Sequence, residues 1–220
     1  MSPDVPALYH AAITKTCESA DPEMETLRKS IVRGELRSID VNPAAIANAF
    51  SKPEEWGLHA FSDLRRAGFV TTLITSLDWY QPNWGELTDD LAVLAGVEST
   101  AIIRLSALDC SAALQEVSRR LADLSTSAAT GNNIAFLLAY QRLMLAVVAA
   151  SNEEELFREY AGRATVATVY ARAAFDKVLE PSELHGAAEK MVELLCSPSS
   201  RQCAALAADM RLQSPIAAAA

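Results

Sequence analysis

Glycine supplies only 8 of the 220 residues, cysteine 4, histidine 3 and tryptophan 3, and aromatic residues together make up 6%. Each shortage removes a class of chemistry. The chain holds no GxGxxG, no GxxxxGK[ST] and no GxSxG, so phosphate-cradling loops and nucleophile elbows are excluded. His10, His59 and His185 lie far apart, and Glu183 and His185, two residues apart, would point to different faces of a helix. Cys17, Cys110, Cys196 and Cys203 form no CxxC and no Cys/His grouping. No metal and no cofactor is therefore expected. The first residues, Met-Ser-Pro-Asp-Val-Pro, lack a basic segment followed by an apolar core, and the scattered cysteines suit small buried thiols in a reducing, intracellular (cytoplasmic) compartment.

Positive charge is also scarce. Nineteen basic residues face 28 acidic ones, a net charge of −9. Residues 1–110 hold 16 acidic and 9 basic side chains, and residues 111–220 hold 12 and 10. The total offers no long-range attraction to nucleic acid or to an anionic membrane.

What the chain does have is apolar helix. From Leu124 to Asn152 the only charged side chain is Arg142, and Ile134–Ala150 is apolar on every face, which requires burial. About 17 residues is at the short limit for a bilayer span, and Gln141 and Arg142 interrupt the run at its middle. The expectation is burial by protein, with no membrane span. Arg142 then needs a partner, either a ligand or an internal carboxylate such as Asp109 or Glu116.

Helix signals are frequent. Asp21-Pro22 and Asn42-Pro43 put a capping side chain before a proline at the first helical position, predicting helices to Arg33 and to about Phe50. Lys52-Pro53 opens a third, through Arg65-Arg66 to Gly68. Residues 69–80 are rich in β-branched side chains; with no second segment of that character to pair with, a helix under tertiary control is expected rather than a strand. A helix from Asn83 or Trp84 to Gly96 follows. Ile103, Ala107, Cys110, Leu114, Val117, Leu121 and Leu124 alternate spacings of four and three, the seam of a coiled-coil-like contact on one long helix from Ser99. Gly131-Asn132-Asn133 reverses the chain into the apolar helix, giving an antiparallel hairpin. Ser151 to Glu154 reads as a capping box for a helix reaching Pro181 with a bend at Gly162, and shorter helices run to about Cys196 and Leu212.

The fold expected is all-α, a multi-helix bundle of eight to ten helices around a long antiparallel hairpin. An acidic part, 1–97, packs on a longer-helix part, 98–212, with a tail at 213–220. Two functional classes remain. One is a non-enzymatic structural or interaction protein working by self-association or within a larger assembly, such as a filament or capsid subunit, through the 103–124 seam. The other is a small-ligand-binding protein or enzyme with a pocket around Arg142, Tyr140 and His59. Arg119, Arg120, Arg158, Arg163 and Arg172 could line a nucleic-acid groove if their helices lay side by side, but without interleaved aromatics ordinary surface ion pairs are expected. The partners expected are further copies or other protein subunits. Asp89-Asp90 lacks the third aspartate one turn on that a magnesium-binding helix would need.

Overall fold

Local capping places most helix starts. The computed structural model describes residues 4–16, 21–105, 111–175 and 180–195, together with 202, 204, 205, 208, 211 and 212, which are helical. Among the described residues there are ten helices: α1 (Asp4–Lys15), α2 (Pro22–Val32), α3 (Pro43–Ala49), α4 (Glu54–Arg66), α5 (Trp84–Leu105), α6 (Ser111–Ala129), α7 (Asn133–Ala150), α8 (Glu154–Arg163), α9 (Val166–Phe175) and α10 (Pro181–Leu195). The all-α bundle is as expected, with one small exception between α4 and α5. Asp21 accepts from the Glu23 N–H, Asn42 from Ala45 and Asn132 from Ile134 and Ala135, so each start is fixed by an orphan donor finding a side chain.

The exception is residues 69–80, which form a hairpin of β1 (Val70–Thr72) and β2 (Leu77–Trp79), antiparallel with Val70 opposite Trp79. The helix expected there is corrected. The segment contains both strands and needs no outside partner. Its register buries Val70 and Trp79 on one side while the Trp79 indole donates to the Ile39 carbonyl at 2.8 Å.

Three other boundaries differ. α5 runs through Gly96, the expected stop, because Leu94, Ala95, Val97 and Glu98 around it are all buried, and that burial outweighs the ~1 kcal/mol a mid-helix glycine costs. The expected division at 97/98 therefore falls inside α5. Ser151 is no N-cap: its hydroxyl donates to Val148 O at 2.7 Å at the end of α7, and α8 starts only at Glu154. The single helix expected beyond it is two, broken at Ala164 and Thr165. The break is stabilised from α7, where the Gln141 amide donates to the carbonyls of Ala164 (2.8 Å) and Thr165 (3.2 Å). A polar residue inside the apolar run thus satisfies the Ala164 carbonyl and adds a second donor to the Thr165 carbonyl, which also accepts from the Val169 N–H as α9 begins.

α7 is the centre. Twelve of its residues are buried, and α1, α5, α6, α8 and α9 all pack on it. By length and composition it could cross a membrane, yet it is enclosed by the protein's own helices. The predicted hairpin is α6 returning along α7. α5 is described to Leu105 and α6 from Ser111, and residues 106–110 between them lie outside the described residues. Residues 213–220 and all four cysteines lie outside the described residues.

Candidate functional site

The residues singled out from sequence do not converge. His59 is exposed on α4, Tyr140 is buried in α7, and Arg142 is half-buried, donating to the Thr16 hydroxyl at 3.1 Å and to the Thr16 carbonyl. Arg142 thus caps the C-terminal end of α1, where carbonyls lack helical partners and a cation meets the dipole favourably. The pocket imagined around these three is corrected. Of the seam, Ala107 and Cys110 lie outside the described residues, Ile103 is exposed, Val117 and Leu124 are fully buried on the α6 face toward the core, and Leu114 and Leu121 are half-buried.

The arginine groove is not assembled either. α6 and α8 each pack on α7 rather than along one another. Arg119 and Arg120 pair with Glu116, Arg120 also with Asp123, Arg158 with Glu154, and Arg163 with Glu159 and Asp90. Arg172 is buried in α9. The Arg119 hydrogen bond, with help from Tyr9 and Arg120, holds the Glu116 carboxyl down at about 2. Its folded value is depressed, so its stabilisation is present at neutral pH and lost as pH falls from the ordinary carboxylate range toward 2. Glu116→Gln is expected to flatten that part of the acid-unfolding curve, followed by circular dichroism between pH 5 and 2. An unchanged curve would show that other carboxylates govern acid stability.

A buried polar cluster escaped the sequence. Glu98 on α5 and Arg211 are almost wholly excluded from solvent and form an ion pair, with Arg211 Nε 3.1 Å from Glu98 Oε1. Tyr160 donates to the same oxygen at 2.8 Å and accepts from Arg211 Nη2 at 2.7 Å, while the guanidinium stacks 5.0 Å from the centre of the Tyr140 ring. Burial drives both tyrosines well above the ordinary phenol value, so both remain neutral. Burial opposes the Arg211 charge, but Glu98, Tyr160 and Tyr140 together more than offset it. Beside this cluster is a void of only about 10 Å³, bounded by Gln141, Thr168 and Arg172 among others, room for roughly one water. Among the described residues, the space around this cluster is filled by side chains.

The N-terminal half carries the more informative geometry. α3 and α4 are joined by four residues, with Ser51 at φ +53 in the turn. They cross so closely that a Cβ on Gly57 would lie 2.2 Å from the Pro43 carbonyl oxygen and 2.9 Å from the Ala47 Cβ. Phe50 and Trp56 pack ring on ring at 5.7 Å beside that crossing. α4 is amphipathic: Gly57, Ala60 and Leu64 face inward, and Glu54, Glu55, Leu58, His59 and Ser62 are exposed on one face. The hairpin follows at once, with Leu73 exposed and Ile74 fully open at its tip. Two helices joined by a tight turn, the second presenting an outward face and flanked by a β-hairpin, form a winged helix-turn-helix. The signal was a glycine in mid-helix at 57, which helix propensity alone would not place there.

This unit is docked on the bundle at α9. The Ala167 N–H donates to the Ala67 carbonyl at 3.0 Å, a Cβ on Gly68 would come within 3.0 Å of Thr165, and Phe69 meets Tyr170 edge-on at 5.4 Å.

No family model and no curated protein sequence matches the chain. Solved structures do. Lar, which controls the expression of the Listeria monocytogenes agr system and mediates virulence, is 12% identical, with 92% of this chain and 98% of that one superposed at a TM-score of 0.63. McbR/YncC of E. coli is 14% identical, over 89% of this chain and 93% of that one, at 0.56. A Rhodococcus sp. RHA1 protein assigned as a transcriptional regulator, GntR, is 14% identical, over 87% and 95%, at 0.57. At these identities the likeness is one of fold, but it covers nearly the whole of each chain, and it overturns the expectation of a filament or capsid subunit: this chain is built like these regulators and not like an assembly subunit.

Proposed function

We propose that this protein is a transcriptional regulator that binds duplex DNA through α4 and the β1–β2 hairpin, with the α5–α10 bundle as its regulatory and self-associating part. The observation that carries this is the outward face of α4, presented in a helix-turn-helix frame with a wing beside it; nucleic acid, which net charge argued against, becomes the favoured partner. A second helix of this kind enters the major groove, and the residues near its N-terminus reach base edges.

The chemistry of that face is unusual. Between Glu54 and Ser62 it holds no cation, and residues 22–79 carry eight acidic and seven basic side chains. Phosphate attraction is correspondingly weak, and discrimination falls to His59, Ser62 and the two glutamates, whose carboxylates can accept from cytosine N4. One face per chain reads one half-site, so two copies on a two-fold site are the natural arrangement. Working on DNA also accords with an intracellular, reducing location.

Selection from random duplexes, followed by gel-shift titration, tests the reading. A recovered sequence with two half-sites is expected, bound by a species of twice 23.7 kDa in light scattering. His59→Ala with Ser62→Ala is expected to cost about 1–3 kcal/mol for each lost base contact without lowering Tm, both side chains being exposed. Absence of any selected sequence, or binding indifferent to these changes, would sink the proposal.

A further inference from the structure

The joint between the two halves is open to solvent. A cleft of about 490 Å³ opens where α1, the last turn of α4 and the α8–α9 bend meet, within the size range of small-molecule sites. Its walls include Leu8, Leu145, Phe157 and Val166, and its charged lining consists of Lys15, Arg65, Arg66 and Arg158. No carboxylate lines it among the described residues, in a chain whose net charge is −9. Arg66 and Arg158 are engaged by Asp63 and Glu154, whereas the Lys15 and Arg65 side chains have no ion pair or hydrogen bond among the described residues.

Cations in the last turns of α1 and α4 complement those helix dipoles, which accounts for Lys15, Arg65 and Arg66 individually. It does not account for Arg158 in the middle of α8, for the apolar walls, or for the convergence of all four on one concavity. The first residue of α9, Val166, opens on the same space, so the positive end of that helix dipole adds to the field. The cleft is also remote from the presented end of α4: Arg65 is eleven residues beyond Glu54, about 16 Å along the axis.

We infer that this cleft binds a small amphipathic organic anion, a carboxylate with an unbranched apolar chain, its head at Lys15 and Arg65 and its chain over Leu8, Leu145, Phe157 and Val166. The inference does not depend on the DNA reading, because ligand binding is measured on the protein alone. A ligand there would touch both α4 and the start of α9, the two elements joined by the Ala167–Ala67 hydrogen bond.

The test is calorimetric titration and thermal melting of the full chain with octanoate, acetate and octanol. Octanoate is expected to bind and raise Tm, with acetate and octanol each at least tenfold weaker. Lys15→Gln with Arg65→Gln is expected to weaken octanoate by roughly tenfold or more, the scale of a lost charge-assisted contact. A Cβ on Gly162, which lines the cleft, meets nothing within 4 Å, and leucine favours helix over glycine. Gly162→Leu should therefore crowd the cleft and weaken octanoate binding with no fall in Tm, which separates an obstructed site from a damaged fold. Octanoate that fails to bind, binds no better than acetate, or binds both variants as well as the parent would overturn the inference.

Discussion

Replacing Glu98 with leucine is expected to cost about 3–5 kcal/mol, because it leaves the Arg211 guanidinium buried without its counter-charge. Two neighbours fail with it. Tyr160 loses the carboxylate it donates to at 2.8 Å, and in Tyr140 the hydroxyl already has no hydrogen-bond partner among the described residues. Urea unfolding followed by far-UV circular dichroism measures the loss. Adding Arg211→Met should recover much of it, since an apolar pair of similar volume removes the uncompensated charge as well. A single variant that costs under about 1 kcal/mol would mean that the ion pair is not what holds the chain near residue 211 against α5.

The second large effect is at Gly57. Alanine in a helix interior normally stabilises by about 1 kcal/mol over glycine. Here its Cβ would fall 2.2 Å from a backbone oxygen of Pro43, an atom that cannot move without displacing α3. The sign therefore reverses, and Gly57→Ala is expected to destabilise by about 1–3 kcal/mol, the cost of forcing an extra carbon into a packed contact. Under the proposed function DNA binding should fall as well, because the angle between α3 and α4 sets how α4 is presented. Thermal melting reads the first effect and gel shift the second. A variant with raised Tm would show that the two helices are free to separate, and the helix-turn-helix geometry would lose its support.

Both effects arise where a residue disagrees with its local context: a glycine inside a helix, and a carboxylate turned into a core. Such disagreements were only partly legible. Gln141 and Arg142 were visible as breaks in an apolar run, and each proved to satisfy backbone carbonyls elsewhere, at Ala164, Thr165 and Thr16. Their partners, 23 to 126 residues away, leave no trace in local spacing. Gly57 was visible as a glycine in mid-helix, but nothing in α4 itself says that α3 passes within touching distance. The hairpin was misread for the opposite reason. Its β-branched composition is evident, but both strands lie within twelve residues, and composition alone does not show the turn that pairs them.

Taken by itself, the sequence determined the all-helical character, the burial of α7 and most helix starts. These rest on interactions within one turn of the chain: Asp21 reaches Glu23, Asn42 reaches Ala45, and an all-round apolar helix has to leave water whatever covers it. Only the tertiary structure decided how the helices meet. It assembled α3, α4 and the hairpin into a helix-turn-helix with a wing, buried Glu98, Tyr160 and Arg211 against one another, and gathered four cations around a cleft with apolar walls. The reason is that a crossing, a buried ion pair and a cleft are each made by segments far apart in the chain. Residue type and spacing along a single helix report which face is buried, and not which other face will meet it.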